Sequence, residues 1–215
     1  MKKDLYKITA RKYDTFVEPF NRVLRQIGMD IYPPVTGMKV LDVGCGTGTT
    51  LKLYQRAGCN VFGIDSSPAM LPVAKNKLNN QAELLLGNAS DMEYSNKTFD
   101  IVIAMLTLHE MPNNTRSKVL SEMIRVLKKD GRILIIDFHP GSLKFPKGWM
   151  YKTVIYFFEI TAGLEHFKNF RNFIAFNGIP GLVETRKMNI VNAKIVGGDS
   201  FGIYVLRTTK HFGIE

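Results

Sequence analysis

The feature that most constrains this chain is the run Val40-Leu41-Asp42-Val43-Gly44-Cys45-Gly46-Thr47-Gly48, a β-branched strand that opens into three glycines spaced two apart. Such a turn lets bare backbone approach a ligand where side chains would stand in the way. A helix is predicted directly after it, over Thr49–Ala57, and the first turn of a helix offers unpaired N–H groups to a carboxylate or phosphate. Strand, glycine turn and helix in that order imply a cofactor site.

The spacing narrows the cofactor. A dinucleotide fingerprint needs a third glycine at a position held here by Thr49 or, counting from Gly46, by Leu51. A P-loop needs Gly-Lys-Ser/Thr, which does not follow. Asp42, two residues before the first glycine, would repel phosphate and suits a ligand bearing an ammonium or sulfonium. The strand Val61–Ile64 ends in Asp65, where an acid can accept from two ribose hydroxyls. Gly87-Asn88-Ala89 closes the next strand with a polar side chain in reach of an adenine amino group.

At 215 residues one domain is expected, since a single core is comfortable at this length and two are not. Strands are predicted at Val40–Val43, Val61–Ile64, Leu84–Leu86, Ile101–Met105 and Ile133–Asp137. Helices are predicted at Thr49–Ala57, at Pro68–Leu78 behind a capping serine of Ser66-Ser67, and at Asn114–Leu127, with Gly131 closing the turn after the last. Such alternation means βαβ units and a parallel sheet. The unbroken apolarity of Ile101–Met105 and Ile133–Ile136 marks strands covered on both faces. A preliminary helix is read at Thr15–Ile27, ended by Gly28. Lys187–Val196 and Ser200–Leu206 read as a late antiparallel hairpin around Gly197-Gly198-Asp199. The resulting division is a helical cap over 1–35, a cofactor-binding core over 36–137, an aromatic-rich lid over 138–186 and a C-terminal hairpin over 187–215.

Cys45 and Cys59 have no ligand-like spacing, so neither a metal site nor a disulfide framework is expected and a reducing cytoplasm fits best. No run is apolar enough for a signal peptide or a membrane span. The net charge of +10 is uneven: residues 1–25 hold +4 and residues 144–171 hold +3. Residues 145–176 also carry ten aromatics, among them Trp149, Phe157 and Phe158, with Lys147, Lys152, Lys168 and Arg171 interleaved. That pattern suits a greasy substrate or peripheral contact with an anionic membrane. It could also serve nucleic acid, by tracking phosphates and stacking bases.

The ordered series VLDVGCGTG, VFGID, LLLGNASDM, FDIVIAMLTLHEM and LKKDGRILIIDF resembles the class I S-adenosylmethionine-dependent methyltransferases, closest to the branch of ubiquinone and menaquinone biosynthesis, over roughly residues 36–140. The resemblance implies a Rossmann-like, doubly wound α/β fold with a seven-stranded sheet in order 3-2-1-4-5-7-6, strand 7 antiparallel, helices on both faces and a helical lid. It implies S-adenosyl-L-methionine as cofactor, with Gly44, Cys45, Gly46 and Gly48 beneath it and Asp42 near its amino group. Asp65 and Ser66 would then meet the ribose, Met70 the adenine face, Asn88 and Ala89 the adenine edge and Met105 the methionine arm, with Tyr13 closing over the cofactor. Relatives commonly have aspartate where Asn88 stands.

A sulfonium methyl is already activated, so transfer needs alignment, dryness and at most a base. His109 and His139 follow the fourth and fifth strands, at the carboxyl edge where open α/β sheets bind ligands, and are the candidate bases. His166 has no such placement. The expected acceptor is small and hydrophobic, quinone-like or lipid-like. Base-amino methylases carry Asn/Asp-Pro-Pro-aromatic after the fourth strand, whereas Ala104–Leu108 stands there, and no cysteine is placed to attack a pyrimidine, so no specific nucleic acid is expected. An RNA methyltransferase and a cofactor-binding protein without turnover remain the alternatives.

Overall fold

Continuous apolar runs become the middle of a sheet, because only there are both faces of a strand dry. The computed structural model describes residues 10–142, 145–186 and 188–209, with side chains from Asn21 onward except that of Lys147. Its strands are β1 (Lys39–Val43), β2 (Asn60–Asp65), β3 (Glu83–Leu86), β4 (Phe99–Met105), β5 (Leu127–Phe138), β6 (Met188–Val196) and β7 (Phe201–Thr208). They form one sheet in the order β3-β2-β1-β4-β5-β7-β6. The first five run parallel, and β7 is antiparallel to both β5 and β6. This is the expected topology, strand for strand.

The helices are α1 (Ala10–Ile31), α2 (Thr49–Arg56), α3 (Met70–Lys77), α4 (Asn113–Val126), α5 (Lys147–Thr161), α6 (Leu164–Ala175) and α7 (Gly178–Glu184). Strand pleating sends alternate residues to opposite faces. Val40, Ile101, Ile103, Leu134 and Ile136 pack on one face with Leu24, Leu51 and Tyr54 of α1 and α2. Leu41, Val43, Val102, Ala104, Ile133 and Ile135 pack on the other with Val119, Leu120 and Met123 of α4 and Phe170 and Phe173 of α6. On α4 the buried apolar residues Val119, Leu120, Met123 and Val126 follow helical spacing and form one stripe.

Three local readings need correction. α1 runs through Gly28 to Ile31. A Cβ on Gly28 would meet Ile136 Cδ1 at 3.0 Å and Leu134 Cδ2 at 3.2 Å, so the glycine lets the helix approach β5 closely instead of ending it. Gly131 closes no turn: β5 begins at Leu127 directly after α4, and a Cβ on Gly131 would lie 2.9 Å from the Asp100 carbonyl of β4. α3 starts at Met70 behind Ala69, with no serine cap and with Pro68 outside it. The Asp65 carboxylate accepts from the Ser67 N–H at 2.8 Å, and this local turn delays the helix.

The late hairpin is present, with positive φ at Gly197, Gly198 and Asp199. Lys187, predicted as its first residue, lies outside the described residues. In β6, Ile190 pairs with Leu206 and Asn192 with Val205, which leaves Val191 as an unpaired bulge. From Asn189 to Ile195 that strand is exposed along its length.

Candidate active site

The turn after β1 is built around three left-handed glycines. Gly44, Gly46 and Gly48 have φ of +74°, +51° and +75°, a region where a side chain is strained. A Cβ at Gly44 would strike Thr107 at 2.5 Å, and one at Gly48 would press on Ala74 and Leu78 at 3.1 Å. Around Gly46 a Cβ would meet nothing within 4 Å. Two of the glycines therefore let other elements close in, while the third faces open space. Lys77 of α3 braces the turn by donating to Thr49 Oγ1 at 2.6 Å and Thr47 Oγ1 at 3.1 Å.

Asp42 is 2% exposed, and its Oδ1 has no hydrogen-bond partner among the described residues. Burial pushes its carboxyl up to about 7, with Arg25 opposing and Asp65 adding to the rise. Arg25 of α1 donates to Thr50 Oγ1 at 3.1 Å, and that hydroxyl lies 3.9 Å from the sulfur of Met105 at the tip of β4. One strand over, Asp65 is fixed from two sides, its Oδ2 accepting from Gly46 N–H at 2.7 Å and its Oδ1 from Ser67 N–H at 2.8 Å. The turn and both acids are thus brought together as the sequence predicted.

The remaining candidates are less uniform. Cys45 is a buried thiol against Gly63, and burial raises its pKa. Met70 is buried, Ser66 exposed, and Ala89 packs on the core. Asn88 is exposed, and its amide oxygen already accepts from Ser90 N–H at 3.0 Å. Tyr13 lies in α1, outside the residues whose side chains are described.

Asp137, at the end of β5, organises the other half of the site, and sequence reading missed it. Its carboxylate is fully buried and accepts from the N–H groups of Leu108, His109 and Phe138 at 3.1, 3.3 and 2.8 Å. It also accepts from His109 Nδ1 at 2.7 Å. The signal was present: an acid directly after the apolar run Ile133–Ile136 of a buried strand has to find donors. The loop that Asp137 holds begins at Leu106, a bulky residue at φ +50°.

The two histidines differ. His109 is 3% exposed among Phe138, Phe170 and Phe173. Burial works to lower its pKa, but Asp137, Glu110 and Glu159 outweigh it and hold it at about 9. His139 is half-buried, and burial, with Lys152, lowers its imidazole against the pull of Asp199. Its Nδ1 lies 2.6 Å from the Tyr204 hydroxyl. His139 also lines a recess with Phe138, Lys152, Ile155, Tyr156 and Ser200, whose buried Oγ has no partner among the described residues. Lys152 and Ser200, which line the recess, and Tyr204, which meets His139, were not foreseen, because they come from a lid helix and a hairpin distant in sequence.

An open parallel sheet with a side-chain-free turn at one strand tip, and acids on that strand and its neighbour, defines the doubly wound class that takes nucleoside cofactors at its carboxyl edge. A family model described as a methyltransferase domain matches residues 41–135. Demethylmenaquinone methyltransferase of Bacillus mycoides is 34% identical over 166 residues, 72% of this chain and 68% of that protein. The enzyme of that name from Renibacterium salmoninarum is 32% identical over 141 residues, 63% of this chain and 58% of that one. The matched region thus spans about three-fifths to two-thirds of these curated relatives. A methyltransferase structure from Aquifex aeolicus shares the fold at TM-score 0.63 and 24% identity, covering 95% of this chain and 99% of that one. The chain belongs to the S-adenosylmethionine-dependent methyltransferase family, whose cofactor is S-adenosylmethionine.

Proposed function

We propose that this chain moves the methyl group of S-adenosylmethionine by direct displacement onto a small hydrophobic acceptor, a reduced quinone or a lipid-like molecule. The observation that carries the reading is the buried Asp42 carboxylate, one oxygen unpartnered, beside a turn whose middle glycine borders open space. A buried acid without a partner is costly, and an ammonium group offsets that cost. The residues therefore fit the family's cofactor. Asp42 would hold its amino group, Asp65 the ribose hydroxyls, Gly44, Cys45, Gly46 and Gly48 its underside, and Met105 the methionine arm. Ser66, Met70, Asn88 and Ala89 would surround the adenosine, with Tyr13 above.

The cofactor supplies a methyl already activated by its sulfonium. The chain's own work is to hold the acceptor, keep water out and take a proton. We assign the base to His139, because a lowered pKa keeps it neutral and it lines an apolar recess with an unpartnered Ser200 hydroxyl. With Nδ1–H donating to Tyr204, Nε2 is left to accept the acceptor's proton. His109, locked to Asp137, positions the loop after β4. The names of the quinone-methylating relatives support the acceptor class.

Two measurements test this. In calorimetry, Asp65→Ala should weaken S-adenosylmethionine binding by about 100-fold, through loss of two charge-assisted hydrogen bonds worth on the order of 3 kcal/mol together. Unchanged affinity refutes the cofactor assignment. With methyl-labelled cofactor, label should pass to reduced demethylmenaquinone, and His139→Gln should cut kcat by about 100-fold while sparing cofactor affinity. Label appearing in RNA, and in no hydrophobic acceptor, overturns the acceptor class.

A further inference from the structure

Helix α5 is built against the usual pattern. Phe157 and Phe158 face solvent at 64% and 59% exposure, while the next residue, Glu159, is turned inward at 6%. A carboxylate is buried at such cost only where something receives it. Glu159 meets two imidazoles there. His109 Nε2 lies 3.7 Å from its Oε1, and His166 Nε2, from α6, lies 2.8 Å from its Oε2. The second contact is close but off line, and that oxygen lacks a hydrogen bond.

We propose that His109 Nε2, Glu159 and His166 Nε2 are the protein ligands of a divalent transition-metal ion such as zinc, which joins α5 and α6 to the loop after β4. Their donor atoms all lie within 4.8 Å of one another. A tetrahedral zinc with bonds of about 2.1 Å puts its ligand atoms roughly 3.4 Å apart, so the distances found straddle the required one and small side-chain rotations close the set. Two imidazoles and one carboxylate suit zinc or its neighbours, not calcium or magnesium, which prefer oxygen alone.

Two independent features support an ion over a mere salt-bridge chain. Asp137 accepts from His109 Nδ1 at 2.7 Å, which fixes the ring and turns Nε2 toward Glu159, the arrangement by which a carboxylate commonly orients a metal-binding histidine. Glu159 also keeps an open acceptor: its buried Oε2 makes no hydrogen bond among the described residues although His166 Nε2 lies 2.8 Å away, so a lone pair is left for an ion. This site stands apart from the cofactor turn and does not depend on the acceptor proposed above.

The test uses the whole chain, stripped with a chelator and titrated with Zn²⁺ and with Co²⁺. One equivalent should bind, raise Tm and give a cobalt spectrum of tetrahedral nitrogen and oxygen ligation without thiolate charge-transfer bands. His166→Asn and Glu159→Gln should each weaken binding by about 100-fold, and Asp137→Asn by about 10-fold, as expected when a ligand or its orienting partner is lost. Cofactor binding by the metal-free variants shows that they fold. Should wild-type protein bind less than one equivalent, show thiolate bands, or bind as well after either ligand change, the proposal fails.

Discussion

Asp42 sits at an unusual balance between burial and charge. Its carboxyl titrates near 7 in the fold, against an ordinary value of 3.8, because burial outweighs the help of Arg25. The folded state therefore binds more protons than the unfolded chain between about pH 4 and pH 7, and stability falls as pH rises across that window. Three pKa units correspond to a loss on the order of 4 kcal/mol, complete above pH 7. Asp42→Asn should flatten this part of the profile and, without cofactor, be the more stable protein at pH 8. Urea unfolding from pH 4 to pH 8 checks it; parallel profiles for the two proteins would mean that the acid is not desolvated. The same substitution should weaken cofactor binding, so the residue that stabilises least alone is the one expected to bind.

At the scale of elements, α5 stands out. Among its described side chains the buried stripe is narrow, limited to Gly148, Ile155 and Glu159, while Trp149, Met150, Phe157, Phe158 and Ile160 are exposed. A helix that leaves most of its apolar surface bare is suited to lie on a membrane surface, and Lys168 and Arg171 on the adjoining α6 supply basic charge. Among the described residues no helix is long and apolar enough to cross a membrane; the contact proposed is with the membrane surface. The protein should co-sediment with anionic phospholipid vesicles, and a Phe157→Ser, Phe158→Ser variant should lose most of that binding while keeping cofactor affinity. Equal sedimentation of variant and wild type would count against the contact. Elements governed by local pattern were legible in sequence: five parallel strands, α2, α4, and the hairpin with its glycine turn. What failed were glycines and caps whose reason is tertiary. Gly28 and Gly131 read as stops because a single sequence cannot show β5 pressing on α1, or β4 on β5. The Ser66-Ser67-Pro68 signal was overridden by Asp65, whose carboxylate claims the Ser67 N–H first. The cluster of Asp137, Glu159 and His166 was invisible for a similar reason, since its members lie on three elements and follow no local spacing.

Across the whole molecule, the sheet divides the labour. Its β2-β1-β4 segment carries the turn and the two acids, β5 and β7 carry Asp137 and Tyr204 with His139 directly after β5, and α5 and α6 roof the second group. The proposed cofactor half followed from contiguous motifs, whereas the proposed acceptor half depends on where the antiparallel hairpin lands. That hairpin also forms the rim of the sheet. With Val191 interposed in β6, the outermost run of amides is bent out of register with β7, and a bent rim is a poor template for another chain. Removing that single residue would restore continuous register and straighten the edge into a flatter template for self-recognition. The deletion variant should elute as concentration-dependent dimers or larger species in size exclusion, relative to wild type, with cofactor binding intact. One supernumerary valine would then be what keeps copies of this chain from growing into one another.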